Sequence, residues 1–346
     1  MTHIITGAGQ LRAAVIGLGV GERHIAGYQS DPRCRVVALC DTDPRRLREV
    51  QRRHPGLSVT TKPEEILQDS SIDIVSIASH DDFHRDQIVA ALSFGKHVFV
   101  EKPLCLSRVE YDDISLALKN SNGLRLSSNL ILRKEPRFEE LRNRIRADKF
   151  GSIYYLEGDY DYGRIEKIVG GWRGELAGFS VVHSGAIHLI DLLLWLSESK
   201  VVQVFAYGTR IATESTRFRK NDTVVAILKF ADGVLGKVTA NFACVTPHHH
   251  RVTIYGTEAT FEQGHLGAAY LWSRDAAVGP ELVTDAYPGA SKGDILPSFV
   301  RSILDGAHAD VTEKEVFDAM NVSLAIEESL LAGQPVDLEY EDWDAR

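Results

Sequence analysis

The strongest constraint on this chain is a rhythm in its first third, where short unbroken apolar runs alternate with helical patterns. The runs are Leu11–Ile16, 35–40, 72–78 and His97–Val100. A run that is apolar throughout, rather than at every second position, predicts a strand covered on both faces. Strands of that kind separated by helices predict a parallel sheet with helices on both sides. Between them, Asp43-Pro44 marks a helix start, because proline at an early helical position loses nothing by lacking an N–H. A doubly wound α/β domain is the expected fold of residues 1–124.

The pattern changes after that point. One more strand is expected over 124–132 and a basic amphipathic helix over 136–148. Long alternating segments follow at 152–162, 201–207, 223–230, 234–244 and 251–255. Ala231-Asp232-Gly233 between two of them is a hairpin signal. Alternation implies a sheet with one face open to water or to another subunit. Thr312 with Glu315 forms a capping box for a helix reaching about Leu331, with Gly333 beyond it. Residues 125–346 are therefore expected to form an α+β domain with a large, mainly antiparallel sheet, its last helices packing back on the first domain.

Composition excludes several roles. A formal charge of −9 argues against a nucleic-acid partner, and no apolar run is long enough to span a bilayer. The N-terminus lacks the basic start and apolar core of a secretory leader. Cys34, Cys40, Cys105 and Cys244 stand singly, as expected of reduced thiols in a cytoplasmic protein.

The first strand runs into Gly17-Leu18-Gly19-Val20-Gly21. Glycines at this position permit a tight turn and let a pyrophosphate approach the backbone at a helix N-terminus. The third glycine comes one residue earlier than the GxGxxG pattern requires, since position 22 is Glu22. Asp41 ends the second strand, where a carboxylate binds the ribose hydroxyls of NAD and repels the 2′-phosphate of NADP. Arg45 and Arg46 nearby weaken that preference without reversing it. A plain helix cap is the simpler role for Asp41.

In a doubly wound sheet ligands bind beyond the carboxyl ends of the strands. Ser79, with His80 and His84 after it, leaves one strand; Glu101-Lys102-Pro103 leaves another. A lysine there can bond a substrate oxygen and move a proton. A surface Glu101–Lys102 ion pair is the alternative.

These residues resemble the Gfo/Idh/MocA family of NAD(P)-dependent oxidoreductases, which includes inositol dehydrogenases and glucose–fructose oxidoreductases. The resemblance rests on Gly17 to Gly21 with His24, Asp41, Ala78-Ser79 with His84, and Glu101-Lys102-Pro103. Asn129, Arg133, Trp172-Arg173 and the segment from Gly185 through His188 to Asp191 extend it over nearly the whole chain. It implies a Rossmann domain, an open-sheet domain often used for oligomerisation (a homodimer or homotetramer here), and a sugar or polyol substrate. Gly17, Gly19, Val20, Gly21, Asp41, Ser79, His80, His84, Glu101, Lys102 and Asn129 are the expected cofactor contacts. Trp172 and Arg173, an indole for a sugar face and a guanidinium for an anionic group, join Lys102 and His188 as substrate contacts.

Residues 178–196 are expected to pass from a strand into a helix capped by Ser184, with His188 and Asp191 on one face. The resemblance makes His188 the catalytic base beside Lys102. It also places an aspartate four residues before that histidine, where this chain has Ser184. His183 next to it could supply the missing titratable group near neutral pH, or be a buried strand residue satisfied by a carbonyl. Lys102, His188, His183 and Ser184 are the candidate catalytic set. The expected activity is hydride transfer between NAD and a secondary hydroxyl of a sugar, cyclitol or derivative. A redox-neutral NAD enzyme and a non-catalytic binding protein remain alternatives. His248, His249 and His250 are consecutive, so they alternate in direction on an extended chain, and no metal site is expected.

Overall fold

The computed structural model describes residues 10–343; the N-terminal stretch read for a leader falls almost wholly outside them. The chain forms two compact units. Of the described residues, the first contains 10–131, 291–317 and 342–343. Its sheet comprises β1 (Leu11–Ile16), β2 (Cys34–Cys40), β3 (Ser58–Thr60), β4 (Ile74–Ile77), β5 (His97–Val100) and β6 (Leu126–Ser128). The order is β3-β2-β1-β4-β5-β6 and every pairing is parallel. Val98, Phe99 and Val100 are completely buried, and each such side chain contributes about 1.5–3 kcal/mol relative to exposure.

The register aligns the strand ends. Thr60 pairs with Cys40, Cys40 with Ile16, Ile16 with Ile77, Ile77 with Val100 and Val100 with Ser128. The residues that follow, Asp41, Gly17, Ala78, Glu101 and Asn129, therefore leave the sheet along one edge. Strand order reverses at β1, between β2 and β4, which is where such sheets open a ligand crevice.

A division at residue 124 does not describe these units. Strand β6 bonds to β5 and so stays with the first sheet. The segment from 291 returns to the same unit, and its helix Leu296–Asp305 covers the sheet, with Phe299 against Phe99 at 5.8 Å. The strand expected over 124–132 is confined to Leu126–Ser128, after which a 3₁₀ turn forms over Ile131–Lys134.

The second unit, 132–290 with 318–341, holds a nine-stranded mixed sheet. Its strands are β7 (Ile153–Asp161), β8 (Val201–Thr209), β9 (Thr223–Phe230), β10 (Leu235–Asn241), β11 (His249–Gly256), β12 (Thr260–Gly264), β13 (Gly267–Leu271), β14 (Glu281–Val283) and β15 (Val336–Asp337). They run in the order β14-β13-β12-β11-β7-β10-β9-β8-β15. Only the β7–β10 pairing is parallel. The hairpin between β9 and β10 turns at Gly233, whose φ is +89°.

One face of this sheet carries Leu156, Gly158 and Tyr160 from β7 and packs on the helix Ile187–Ser197. A Cβ at Gly158 would lie 3.1 Å from Leu189, so glycine sets how closely the helix approaches. The other face shows Glu157, Asp159, Lys237 and Arg251, linked by ion pairs of 3.0–3.1 Å. The capping box forms as expected: the Thr312 amide donates to Glu315 Oε2 at 2.8 Å, opening the helix Glu313–Ala332.

Residues 178–196 differ from expectation. No strand precedes the helix; instead Val182–Ala186 forms one π-helical turn that continues into Ile187–Ser197. Ser184 lies inside the turn, its amide bonded to the Ser180 carbonyl at 3.0 Å, and does not cap the helix.

Candidate functional site

The glycine turn divides its labour. Gly17 has φ +87°, and a Cβ there would sit 2.2 Å from the Ala78 carbonyl oxygen, so only glycine makes this turn. Gly21 packs the following helix on the sheet, a Cβ there meeting Val15 at 2.8 Å. The early third glycine thus performs the packing role. Gly19 is different: the single heavy atom near its missing Cβ is Arg46 Nη1 at 3.7 Å. The open space beside it fits a pyrophosphate approaching the backbone. Val20 is exposed at the start of the Gly21–Arg23 turn.

Asp41 braces this turn. Its Oδ2 accepts from the Leu18 amide at 2.8 Å and its Oδ1 from the Asp43 amide at 2.9 Å. Arg46 lies 3.6 Å from Oδ2. The helix Pro44–Arg53 is capped by Asp43, which accepts from the Arg45 amide.

At the next strand exit, Ser79 donates to Gln87 Oε1 at 2.8 Å. His84 lies with Nδ1 2.7 Å from the Pro103 carbonyl oxygen and Nε2 3.4 Å from that of Ser79, so one imidazole ties two strand exits together. His80 is exposed between them.

Glu101 turns inward. Its Oε1 accepts from Asn129 Nδ2 at 2.7 Å and lies 3.1 Å from His24 Nε2, while His24 Nδ1 is 2.7 Å from Ser76 Oγ. Asn129 also donates to the Lys292 carbonyl. Burial alone would raise the Glu101 carboxyl. The His24 and Asn129 hydrogen bonds and the charges of Lys292 and His24 outweigh it and hold the group at about 2. A buried network, not a surface pair with Lys102, occupies Glu101. Lys102 follows it, half-buried, with a cis bond to Pro103. Asn129 Oδ1 is buried without a protein partner, an acceptor suited to a cofactor amide.

In the second unit His188 is buried, stacked on Tyr160 with ring centres 6.4 Å apart and facing the His250 ring edge at the same separation. His250 Nδ1 bonds the Tyr287 hydroxyl, and His248 packs on Tyr160 and His250. Asp191, one turn from His188, is held by Arg133 through Nε at 2.9 Å and Nη2 at 2.6 Å, both residues buried. Arg173 lies over the Trp172 ring at 4.4 Å. Its charge, with that of Arg164, acts on Tyr160, although burial dominates and pushes that phenol upward.

His183 does not titrate near neutrality. Its ring is buried, Nδ1 lies 2.8 Å from Ser323 Oγ, and burial, assisted by the Lys220 charge, pushes it down to about 3. Nor is it a strand residue satisfied by a carbonyl. Two residues absent from the sequence reading stand near it in the fold. Glu327, one turn along the helix from Ser323, bonds Ser180 and is raised by burial. Lys220 donates to the Leu176 and Ala177 carbonyls and is lowered by burial. Among the described residues no group of three or more metal-ligating side chains could hold an ion.

The first unit is thus a dinucleotide-binding α/β domain, and the second an open-sheet domain with a buried histidine centre. Residues 11–130 match the model of an oxidoreductase family with an NAD-binding Rossmann fold, and 138–262 match the GFO/IDH/MocA C-terminal domain. The chain belongs to this Gfo/Idh/MocA family of NAD-binding oxidoreductases. It is 27% identical to scyllo-inositol 2-dehydrogenase (NAD(+)) of Bacillus subtilis, covering 95% of this chain and 97% of that one. It is 24% identical to myo-inositol 2-dehydrogenase of Thermotoga maritima, covering 95% and 99%. The fold is shared with levoglucosan dehydrogenase in complex with NADH and levoglucosan, at a TM-score of 0.83, 22% identity and coverage of 95% and 99%.

Proposed function

We propose that the protein is an NAD-dependent dehydrogenase of a secondary hydroxyl on a sugar or cyclitol. The observation that carries this is the single row of strand ends, which sends Gly17, Asp41, Ser79 and Lys102 out along one edge of the first sheet. The inositol and levoglucosan specificities of the relatives support the polyol class.

The dinucleotide supplies a hydride acceptor or donor when bound. Gly17 and Gly19 admit its backbone-facing phosphates, and Asp41 meets the ribose. Lys102 polarises the substrate oxygen, and His188 takes the hydroxyl proton during oxidation and returns it during reduction. Tyr160 fixes the plane of the His188 ring. Trp172 and Arg173 contact the substrate. His183 and Ser184 support the turn that carries His188, with His183 neutral throughout.

Four cysteines without disulfides support a cytoplasmic location. The exposed Tyr207, Val225, Ile227 and Leu235 on the open face of the second sheet support a homodimer or homotetramer formed there.

The test is NADH absorbance after adding NAD⁺ with inositols, free sugars and sugar acids in turn. A rise with one group establishes the activity and names the substrate. Ser184 in place of a carboxylate favours a second reading, a redox-neutral reaction on retained NAD. Substrate loss without net NADH, in protein purified with NAD already bound, would establish that reading instead.

A further inference from the structure

We infer that Glu327, in the helix Glu313–Ala332, is a positioning residue for His188: through Ser180 it holds the π turn that aims the His188 ring at Tyr160. The inference rests on the proposed reaction only for the acid–base role of His188.

Three observations combine. The turn Val182–Ala186 contains no carboxylate of its own. Its start is held by Ser180, whose Oγ accepts from the Val182 amide at 2.9 Å and whose carbonyl accepts from the Ser184 amide at 3.0 Å. A serine hydroxyl has one hydrogen and turns to suit its surroundings. Here Ser180 donates that hydrogen to Glu327 Oε1, which leaves a lone pair aimed at the Val182 N–H. One turn earlier on the same helix face, Ser323 Oγ lies 2.8 Å from His183 Nδ1. Ser180, His183 and Ser323 are all buried, so bulk water does not compete for either bond. Lys220, bonded to the Leu176 and Ala177 carbonyls, extends the clamp upstream.

What the clamp controls is rotation. A π turn closes its hydrogen bonds over five residues rather than four, and one residue is about 100° of helix rotation at 3.6 residues per turn. The helix Ile187–Ser197 continues from the turn without a break. If the turn relaxed to α-helical pairing, the residues after it would swing by about that angle relative to Ser180. His188 would then leave Tyr160, on which it is stacked. Gly185 would leave its place against the same ring, where a Cβ would lie 2.6 Å from Tyr160 Cδ1. Two hydrogen bonds from one helix, at Ser180 and at His183, oppose that relaxation.

Proton NMR of the full chain reads the position of His188 without turnover. Its ring signals are the ones missing from His188→Gln, and stacking on Tyr160 gives them a ring-current shift. Glu327→Ala should abolish that shift and Ser180→Ala should do the same. The double variant should add nothing, since both changes act through one bond. Glu327→Gln, which keeps an acceptor for the Ser180 hydroxyl, should restore the wild-type signals. With a substrate in hand, Glu327→Ala should lower kcat about a hundredfold while KM changes less than about threefold. Unchanged His188 signals in both alanine variants would overturn the proposal, as would a Glu327→Gln protein as disturbed as Glu327→Ala. If Glu327→Ala does not fold, Ser180→Ala carries the same prediction alone. Displaced His188 signals in a chain that oxidises no polyol would support this inference and count only against the proposed reaction.

Discussion

Replacing Glu101 by Gln tests the buried network with a pH signature. The folded carboxyl sits at about 2 against an ordinary 4.5. At about 1.4 kcal/mol per pH unit, the ionised group contributes about 3 kcal/mol to stability at neutral pH. A group depressed by folding gives stability that is complete above its unfolded pKa and lost as pH falls through the folded one. The contribution should therefore be full above pH 4.5 and fade toward pH 2. Glu101→Gln keeps the volume and an acceptor for Asn129 but removes the charge beside His24. It should lower stability at pH 6 by about 3 kcal/mol, or roughly 6–12 °C in melting temperature for a unit of this size. Thermal melts of both proteins from pH 6 to pH 3 measure the gap. The gap should shrink steadily below pH 4.5 and fall to about 1.4 kcal/mol, less than half its full size, at pH 3. A gap that stays constant with pH, or is absent at pH 6, refutes the charge-network account.

Other perturbations follow from the same geometry. His188→Ala should lower turnover by about two to four powers of ten while calorimetric NAD⁺ affinity stays unchanged; unimpaired turnover would remove His188 from the reaction. Arg133→Met should cost about 3–5 kcal/mol in denaturant melts, because it removes the guanidinium that pairs with the buried Asp191 carboxylate, and the double change with Asp191→Leu should recover much of that loss. Gly17→Ala should abolish NAD⁺ binding or prevent folding, given the 2.2 Å approach to Ala78. Native protein should react rapidly with a thiol reagent at one cysteine, Cys244, the only one of the four not buried, and at all four after unfolding.

The first sheet was legible because its signals are local. Each apolar run ends where its strand ends, so Gly17, Asp41, Ser79 and Glu101 could be placed at strand exits from sequence alone. The direction of Glu101 could not. It depends on His24, 77 residues away, and on Asn129, itself tied to the Lys292 carbonyl at a separation of 163. Ser58–Thr60 and the strands after Gly256 are short or lack clean alternation, so their pairing is decided by neighbours already in the sheet. The π turn at Val182–Ala186 was hidden for a different reason. Apart from His183 its residues are apolar or small on every side, so neither a period of two nor one of 3.6 stands out. His183 looked titratable because burial, which sets its charge, comes from Ser323 and its helix far along the chain.

The discontinuity of the first unit has a consequence for synthesis. Its sheet is complete once Ser128 has left the ribosome, yet the segment that covers it begins at Ser291. Gly293 then closes on Gly27, where a Cβ would lie 2.4 Å from the Gly293 oxygen, and Phe299 on Phe99. About 160 residues intervene, roughly 8–32 s of translation at ordinary rates. During that interval the nascent sheet must wait with one apolar surface uncovered. The nucleotide unit, first in sequence, is therefore among the last parts of the chain to be finished.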